Sequence, residues 1–261
     1  MKVKTVLRAI WYYCFIGGWK ARTAYKANFA ANIASLLLSV ATYYFIGYSI
    51  IYQRGIVRYG TDSPLGFLLS GILLTRIVNP FRLYFPLTVR DFYYLYSRPV
   101  SPALILLQEW ISAYIWFTGI EIALYAVILA STQSLNMRPE SLFAFIALCI
   151  LINIGYNLFE SGLTYITKKK TPILFARQAV HLLFSGELFP VTALPVPLQQ
   201  IALLYPYTWT YIAWRKILFS AMTITDPDFI AFTIASLTMF LLGLTVFKTG
   251  YNEIYKKGLV L

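Results

Sequence analysis

Acidic residues are scarce in this chain of 261 residues: ten Asp and Glu stand against 22 Lys and Arg, and charged residues together make up 12%. That share is about half of what a water-soluble domain carries, so an ordinary soluble fold is excluded. Histidine occurs once, at His181, and cysteine twice, at Cys14 and Cys149. With no Cys, His or acidic cluster around it, His181 is not a metal ligand, and no metal site is expected. The cysteines predict no disulfide, since one falls in an N-terminal interfacial segment and the other midway along an apolar helix. A Gly-x-x-x-x-Gly-Lys-Ser/Thr loop is missing, so the chain has no phosphate cradle of its own. The stretch from Gly243 to Thr249 comes nearest, but it lacks the second glycine. Gly-x-Ser-x-Gly and His-Glu-x-x-His are absent as well, which argues against an enzyme.

Apolar sequence fills the space that charge leaves, at 59% hydrophobic and 18% aromatic residues. Asn28–Tyr52, Ser141–Phe159 and Phe229–Phe247 run for 25, 19 and 19 residues without Asp, Glu, Lys or Arg. A helix rises about 1.5 Å per residue, so roughly 20 residues cross the ~30 Å hydrocarbon slab. Within that slab a helix satisfies every backbone polar group inside its own segment. The expected fold class is an all-α integral membrane protein with six transmembrane helices, forming one domain over residues 1–261.

The net charge of +12 raises nucleic acid as a partner, but its distribution argues otherwise. Taking the N-terminus as cytoplasmic, 17 of the 22 Lys and Arg fall on the cytoplasmic side. The outer five are Arg54, Arg58, Arg138, Arg215 and Lys216. This asymmetry is the positive-inside pattern of an even number of crossings, with both termini cytoplasmic. It predicts a multi-pass protein of the cell (inner) membrane that binds lipids and no nucleic acid.

Residues 1–27 read as an interfacial helix rather than a signal peptide, because Arg8 interrupts the apolar part and no small-residue cleavage site precedes Lys20. Span one is Asn28–Tyr52, where Ala31, Ser35 and Ser39 provide small-residue spacing for a helix contact. Span two starts near Ser63 or Pro64 and runs to about Pro80. Residues 81–102 are too basic and too marked by proline to cross, and a short cytoplasmic helix is expected at 86–99. Span three runs from about Pro102 to Thr132 and carries Glu109 and Glu121. Span four is Ser141 to about Ile166, and span five is Thr171–Pro190.

The next stretch, Leu188–Trp214, has 27 uncharged residues yet holds Pro190, Pro195, Pro197 and Pro206. Prolines at that density break a lipid-exposed helix, and a seventh crossing would put Lys248, Lys256 and Lys257 outside. Residues 190–220 are therefore expected as two short helices that dip into the outer leaflet and return. Span six is Phe229–Phe247, followed by a basic tail from Lys248.

This layout, together with particular residues, resembles the permeases of the type 2 ABC exporter family. The residues are Phe184-Ser185-Gly186-Glu187-Leu188-Phe189-Pro190, then Leu194-Pro195, Pro197-Leu198 and Leu204-Tyr205-Pro206. Tyr93 to Val100, with Arg98-Pro99 at its end, is similar to a Leu-x-x-Arg-Pro stretch in the small six-span branch. The closing Tyr255-Lys256-Lys257-Gly258-Leu259 looks like that branch's tail. Glu187 stands where such sequences often carry a neutral residue.

The resemblance implies a transport subunit, most naturally an exporter, that pairs with a second permease as a homodimer or heterodimer. It also implies separate cytoplasmic ATPase subunits that hold the ATP and Mg, leaving no cofactor in this chain. Arg90, Asp91, Tyr94, Arg98 and Pro99 would make the ATPase contact. Gly186, Glu187, Phe189, Pro190, Pro195 and Pro206 would form the outer gate and its hairpin.

Four intramembrane polar residues remain: Glu121, Glu160, Arg177 and His181. Arg177 and His181 are four apart on one helix face, and Glu160 approaches them if spans four and five are antiparallel, giving an ion pair that fixes packing. Glu121 reads first as a residue packed or hydrogen-bonded against a neighbouring helix. It is also the coupling site of the alternative function, an ion-coupled secondary transporter or channel.

Overall fold

The computed structural model describes residues 11–12, 63–78, 119–167 and 170–257. Among these, all regular structure is helical, and seven α-helices follow one another. They are α1 (Pro64–Val78), α2 (Gly119–Thr132), α3 (Pro139–Thr167), α4 (Lys170–Phe184), α5 (Val196–Leu204), α6 (Pro206–Phe219) and α7 (Pro227–Lys257). A single 3-10 turn, Val191–Ala193, precedes α5. The expected interfacial helix (apart from Trp11 and Tyr12), span one, the 86–99 helix and the first part of span three lie outside the described residues.

Proline placement explains most of the boundaries. Pro64, Pro139, Pro206 and Pro227 each open a helix, and Pro197 is the second residue of α5. A missing N–H is harmless there, because the first-turn donors of a helix have no internal partner. At α1 the Ser63 hydroxyl also accepts the Gly66 N–H at 3.2 Å, capping the helix.

Two helices, α3 and α7 as far as Glu253, are long and apolar enough to cross a membrane. The 29 residues of α3 extend about 44 Å, beyond the ~30 Å slab. Their most apolar windows are only 33% and 28% buried, whereas the core helix of a water-soluble protein is mostly covered. On α7 the exposed side chains Ile230, Ile234, Leu237, Leu241 and Leu244 follow one another along a single face.

The two long helices run parallel. Phe145 meets Phe232 at 5.1 Å between ring centroids, and farther along Tyr165 meets Phe247 at 5.8 Å. Between these aromatic contacts the backbones touch through glycines. A Cβ on Gly243 would lie 2.0 Å from the Gly155 carbonyl oxygen, and one on Gly250 would lie 2.5 Å from that of Gly162. Both helices repeat glycine every seven residues, which keeps the small positions on the contact face. At the other end of the pair, the Ser141 hydroxyl donates to the Met222 carbonyl at 2.6 Å. Asn136 exchanges backbone hydrogen bonds with Leu218 and Ala221, tying the turn before α3 to the end of α6.

Parallel neighbours require a connection that returns once along the length of the pair, and α4, α5 and α6 supply it. Here the sequence-based expectations need two corrections. The expected span at 171–190 ends at Phe184, and α4 is 15 residues, about 22 Å, which falls short of the slab. The chain turns at 185–190 because Gly186 takes φ +76 and Pro190 cannot continue a helix. The basic tail expected from Lys248 is instead helical through Lys257, continuing α7 without a break. Arg215, counted on the outer side, is completely buried within the protein.

Candidate functional site

The buried side of α6 carries Tyr207, Tyr211, Trp214 and Arg215, and its i to i+4 spacing puts Tyr211 and Arg215 on one face. That face meets α1. The Trp214 indole N–H donates to the Ser70 carbonyl at 2.8 Å. The Arg215 guanidinium lies 3.4 Å from the Phe67 ring centroid, a stacking that favours a cation over the ring face. It donates to the Phe67 carbonyl from Nε and Nη2 at 3.3 and 3.2 Å. From Nη1 it donates to Gly186 O at 2.8 Å, and from Nη2 to Glu187 O at 2.9 Å. One buried cation thereby pins the 186–187 turn to α1. Gly71 makes room for it, since a Cβ there would sit 2.3 Å from the Glu187 carbonyl oxygen and 2.7 Å from Arg215 Nη2.

The turn returns the Glu187 side chain towards α4. Its Oε1 accepts the Thr75 hydroxyl at 2.7 Å, and its Oε2 lies 3.3 Å from His181 Nε2. Thr75 Oγ1 is also 2.5 Å from the Tyr211 hydroxyl. His181 Nε2 lies 3.3 Å from Tyr211, and Nδ1 lies 3.1 Å from Tyr205. Tyr205 continues to the Tyr156 hydroxyl at 3.3 Å. The imidazole is packed edge-on against Tyr205 and Tyr207, with centroids at 6.1 and 5.1 Å. Beside it, the Tyr207 hydroxyl donates to Asn153 Oδ1 at 2.7 Å inside the core.

These side chains line a cavity of about 350 Å³, with Arg177, Gln178, Val78 and Leu182 completing its wall. Polar groups thus face polar groups, and each of the hydroxyls and ring nitrogens described has a partner. Such a set has the donors and acceptors to orient a proton or a small polar ligand. It does not resemble a nucleophile with its base. No cluster of three or more His, Cys, Asp or Glu capable of holding a metal ion occurs among the described residues.

Of the four polar residues expected within the membrane, Glu160 and Arg177 meet each other. Arg177 Nη1 donates to Glu160 Oε2 at 3.1 Å, as antiparallel α3 and α4 require. His181, expected to join that pair, turns to Glu187 instead. It sits one turn closer to the end of α4, where the chain doubles back and delivers the new carboxylate. Glu121 has its backbone in α2, while its side chain lies outside the described residues. So do Glu109 and the expected ATPase contacts Arg90, Asp91, Tyr94, Arg98 and Pro99.

In the hairpin, Pro190 and Pro195 flank the 3-10 turn and Pro206 opens α6, while Phe189 is half-buried in the turn. Two short helices therefore occupy the proline-rich stretch. Sequence reasoning missed Thr75, Tyr156, Tyr205, Tyr207, Tyr211 and Arg215. The four-residue steps Tyr207–Tyr211–Arg215 were the available signal. No protein-family model matches this sequence, and no curated protein matches it either.

Proposed function

We propose that this chain is the membrane-spanning permease subunit of an ATP-driven transporter, operating as an exporter. In this reading it crosses the cell membrane six times with both ends cytoplasmic, α4 and α6 together making the crossing that α4 is too short to make alone. It lines a path together with a second permease, and it draws its energy from separate ATPase subunits that contact Arg90, Asp91, Tyr94, Arg98 and Pro99. The supporting observation is the arrangement between the two long helices. α3 and α7 run parallel, and the chain between them turns at Gly186–Pro190 into two short proline-opened helices. Short helices at one end of an apolar pair suit a re-entrant closure of a path. The rearrangement would be a rigid-body shift of packed helices.

The test is purification from native membranes in mild detergent, followed by reconstitution. Expected are co-elution with an ATPase subunit and transport that requires ATP. Arg90→Glu and Tyr94→Asp should insert normally yet uncouple hydrolysis from transport. Full activity of the purified chain alone, or transport that follows an ion gradient without ATP and is lost in Glu121→Gln, would replace this reading.

A further inference from the structure

The cavity wall contains an unbroken run of hydrogen-bonding groups whose proton positions can be worked out from its ends. Glu187, as a carboxylate, only accepts. Thr75 therefore donates to Oε1, and the Thr75 oxygen accepts from Tyr211. With the Tyr211 hydrogen spent on Thr75, His181 Nε2 must carry a hydrogen to meet both the Glu187 Oε2 and the Tyr211 oxygen. Nδ1 of the neutral ring is then an acceptor, filled by the Tyr205 hydroxyl, whose own oxygen accepts from Tyr156. The run is thus directional, from Tyr156 at the cavity to Glu187 at the turn.

We propose that this run is a proton-binding relay, with Tyr156 as its entry, Tyr205 as its link and His181 as the group that holds the proton. A proton arriving on the Tyr156 oxygen displaces the original Tyr156 hydrogen onto Tyr205. The Tyr205 hydrogen in turn moves to Nδ1. One proton is taken up, the ring becomes imidazolium, and both hydroxyls end reversed, Nδ1–H now donating to Tyr205. No bond between heavy atoms changes.

The charged ring then faces the Glu187 carboxylate through Nε2, a charge-assisted bond that tightens the 186–187 turn against α4. Among the described residues, the groups that face His181 are Thr75 from α1, Tyr156 from α3, and Arg177 from its own helix. Glu187 faces it from the turn, Tyr205 from the α5–α6 junction, and Tyr207 and Tyr211 from α6. Arg177 is occupied by Glu160, and Arg215 by the carbonyls beneath the turn. Glu187 is therefore the carboxylate in contact with the ring. The inference stands apart from the transport reading and holds or fails without it.

Because the chain has a single histidine, ¹⁵N-histidine labelling of the full-length protein in detergent yields one ring to observe. The neutral ring should carry its hydrogen on Nε2, and the ring that has taken up a proton should carry one on each nitrogen, both states being distinguished by their ¹⁵N shifts. Tyr205→Phe should slow exchange of the Nδ1 proton with water by on the order of 100-fold, the lower end of what a positioned proton donor contributes. Tyr156→Phe, farther along the run, should slow it too while leaving the neutral form unchanged, and helix content by circular dichroism should match the parent in both. A neutral ring carrying its hydrogen on Nδ1 would overturn the relay. So would exchange as fast in both variants as in the parent.

Discussion

The contact between α3 and α7 and the contact of α1 with α6 and the 186–187 turn lie in the same helical assembly, yet they are built oppositely. Along α3 and α7 the side chains are removed: Gly155 faces Gly243, Gly162 faces Gly250, and backbone meets backbone. At α1 a large side chain is inserted, with the Arg215 guanidinium buried between the Phe67 ring and three carbonyls. The first contact gains from close packing and needs no polar partner. The second depends on every donor finding its acceptor, because a buried charge left unmatched is costly. A glycine seam makes a rigid pair, whereas a polar junction holds only as long as its hydrogen bonds do. The candidate site sits on the polar junction and not on the seam.

Substitutions can break each half of this comparison separately. The largest effect is expected for Arg215→Met, which leaves the Phe67, Gly186 and Glu187 carbonyls without that donor. A buried acceptor left without its donor costs about 1–3 kcal/mol, and this change affects three of them at once, read as a fall in the denaturation midpoint in detergent. Gly243→Ala comes next, since its new methyl group meets the Gly155 carbonyl and the helices must part; overpacking of this kind costs about 1–3 kcal/mol. Gly71→Ala should cost a similar amount while also disturbing the ¹⁵N signal of His181, a marker that Gly243→Ala leaves in place.

Glu160→Gln weakens the bond to Arg177, and a loss of about 2 kcal/mol is expected for a charged hydrogen bond at a mostly buried position. The smallest effect belongs to Asp228→Asn. Its partner Lys216 and the carboxylate are both about a third exposed, so solvent screens the pair and the change should stay within ~1 kcal/mol.

What could be read from sequence divides along the same line. The uncharged runs 141–159 and 229–247 identified the two long helices, because an apolar stretch of that length leaves the chain few other ways to satisfy its backbone. Prolines 190, 195, 197 and 206 announced short helices in place of one long one. Glu160 and Arg177 were legible as a pair, since a short turn between antiparallel helices leaves them facing. Arg215 was not legible. Lying next to Lys216 at the end of an uncharged run, it could be read only as a charge on the outer side, and the packing of α6 against α1 and the 186–187 turn is what brings three carbonyls to it. His181 was grouped with Glu160 because antiparallel neighbouring helices bring them close, while Glu187, only six residues on, reaches it through a turn that depends on the positive φ of Gly186. The seven-residue glycine spacing on α3 and α7 was present in the sequence, but a single helix gives no sign of which partner its small residues meet.

The account rests most heavily on α3 and α7 crossing a bilayer side by side in the same direction. Single cysteines at Met137 and Thr225, both exposed near the starts of these helices, and at Tyr251, exposed near the end of α7, test this directly. With native Cys14 and Cys149 replaced, a membrane-impermeant maleimide added to intact cells should label positions 137 and 225 but spare 251 until the membrane is opened. Labelling of position 251 from outside, or equal labelling of all three, would contradict the parallel crossing.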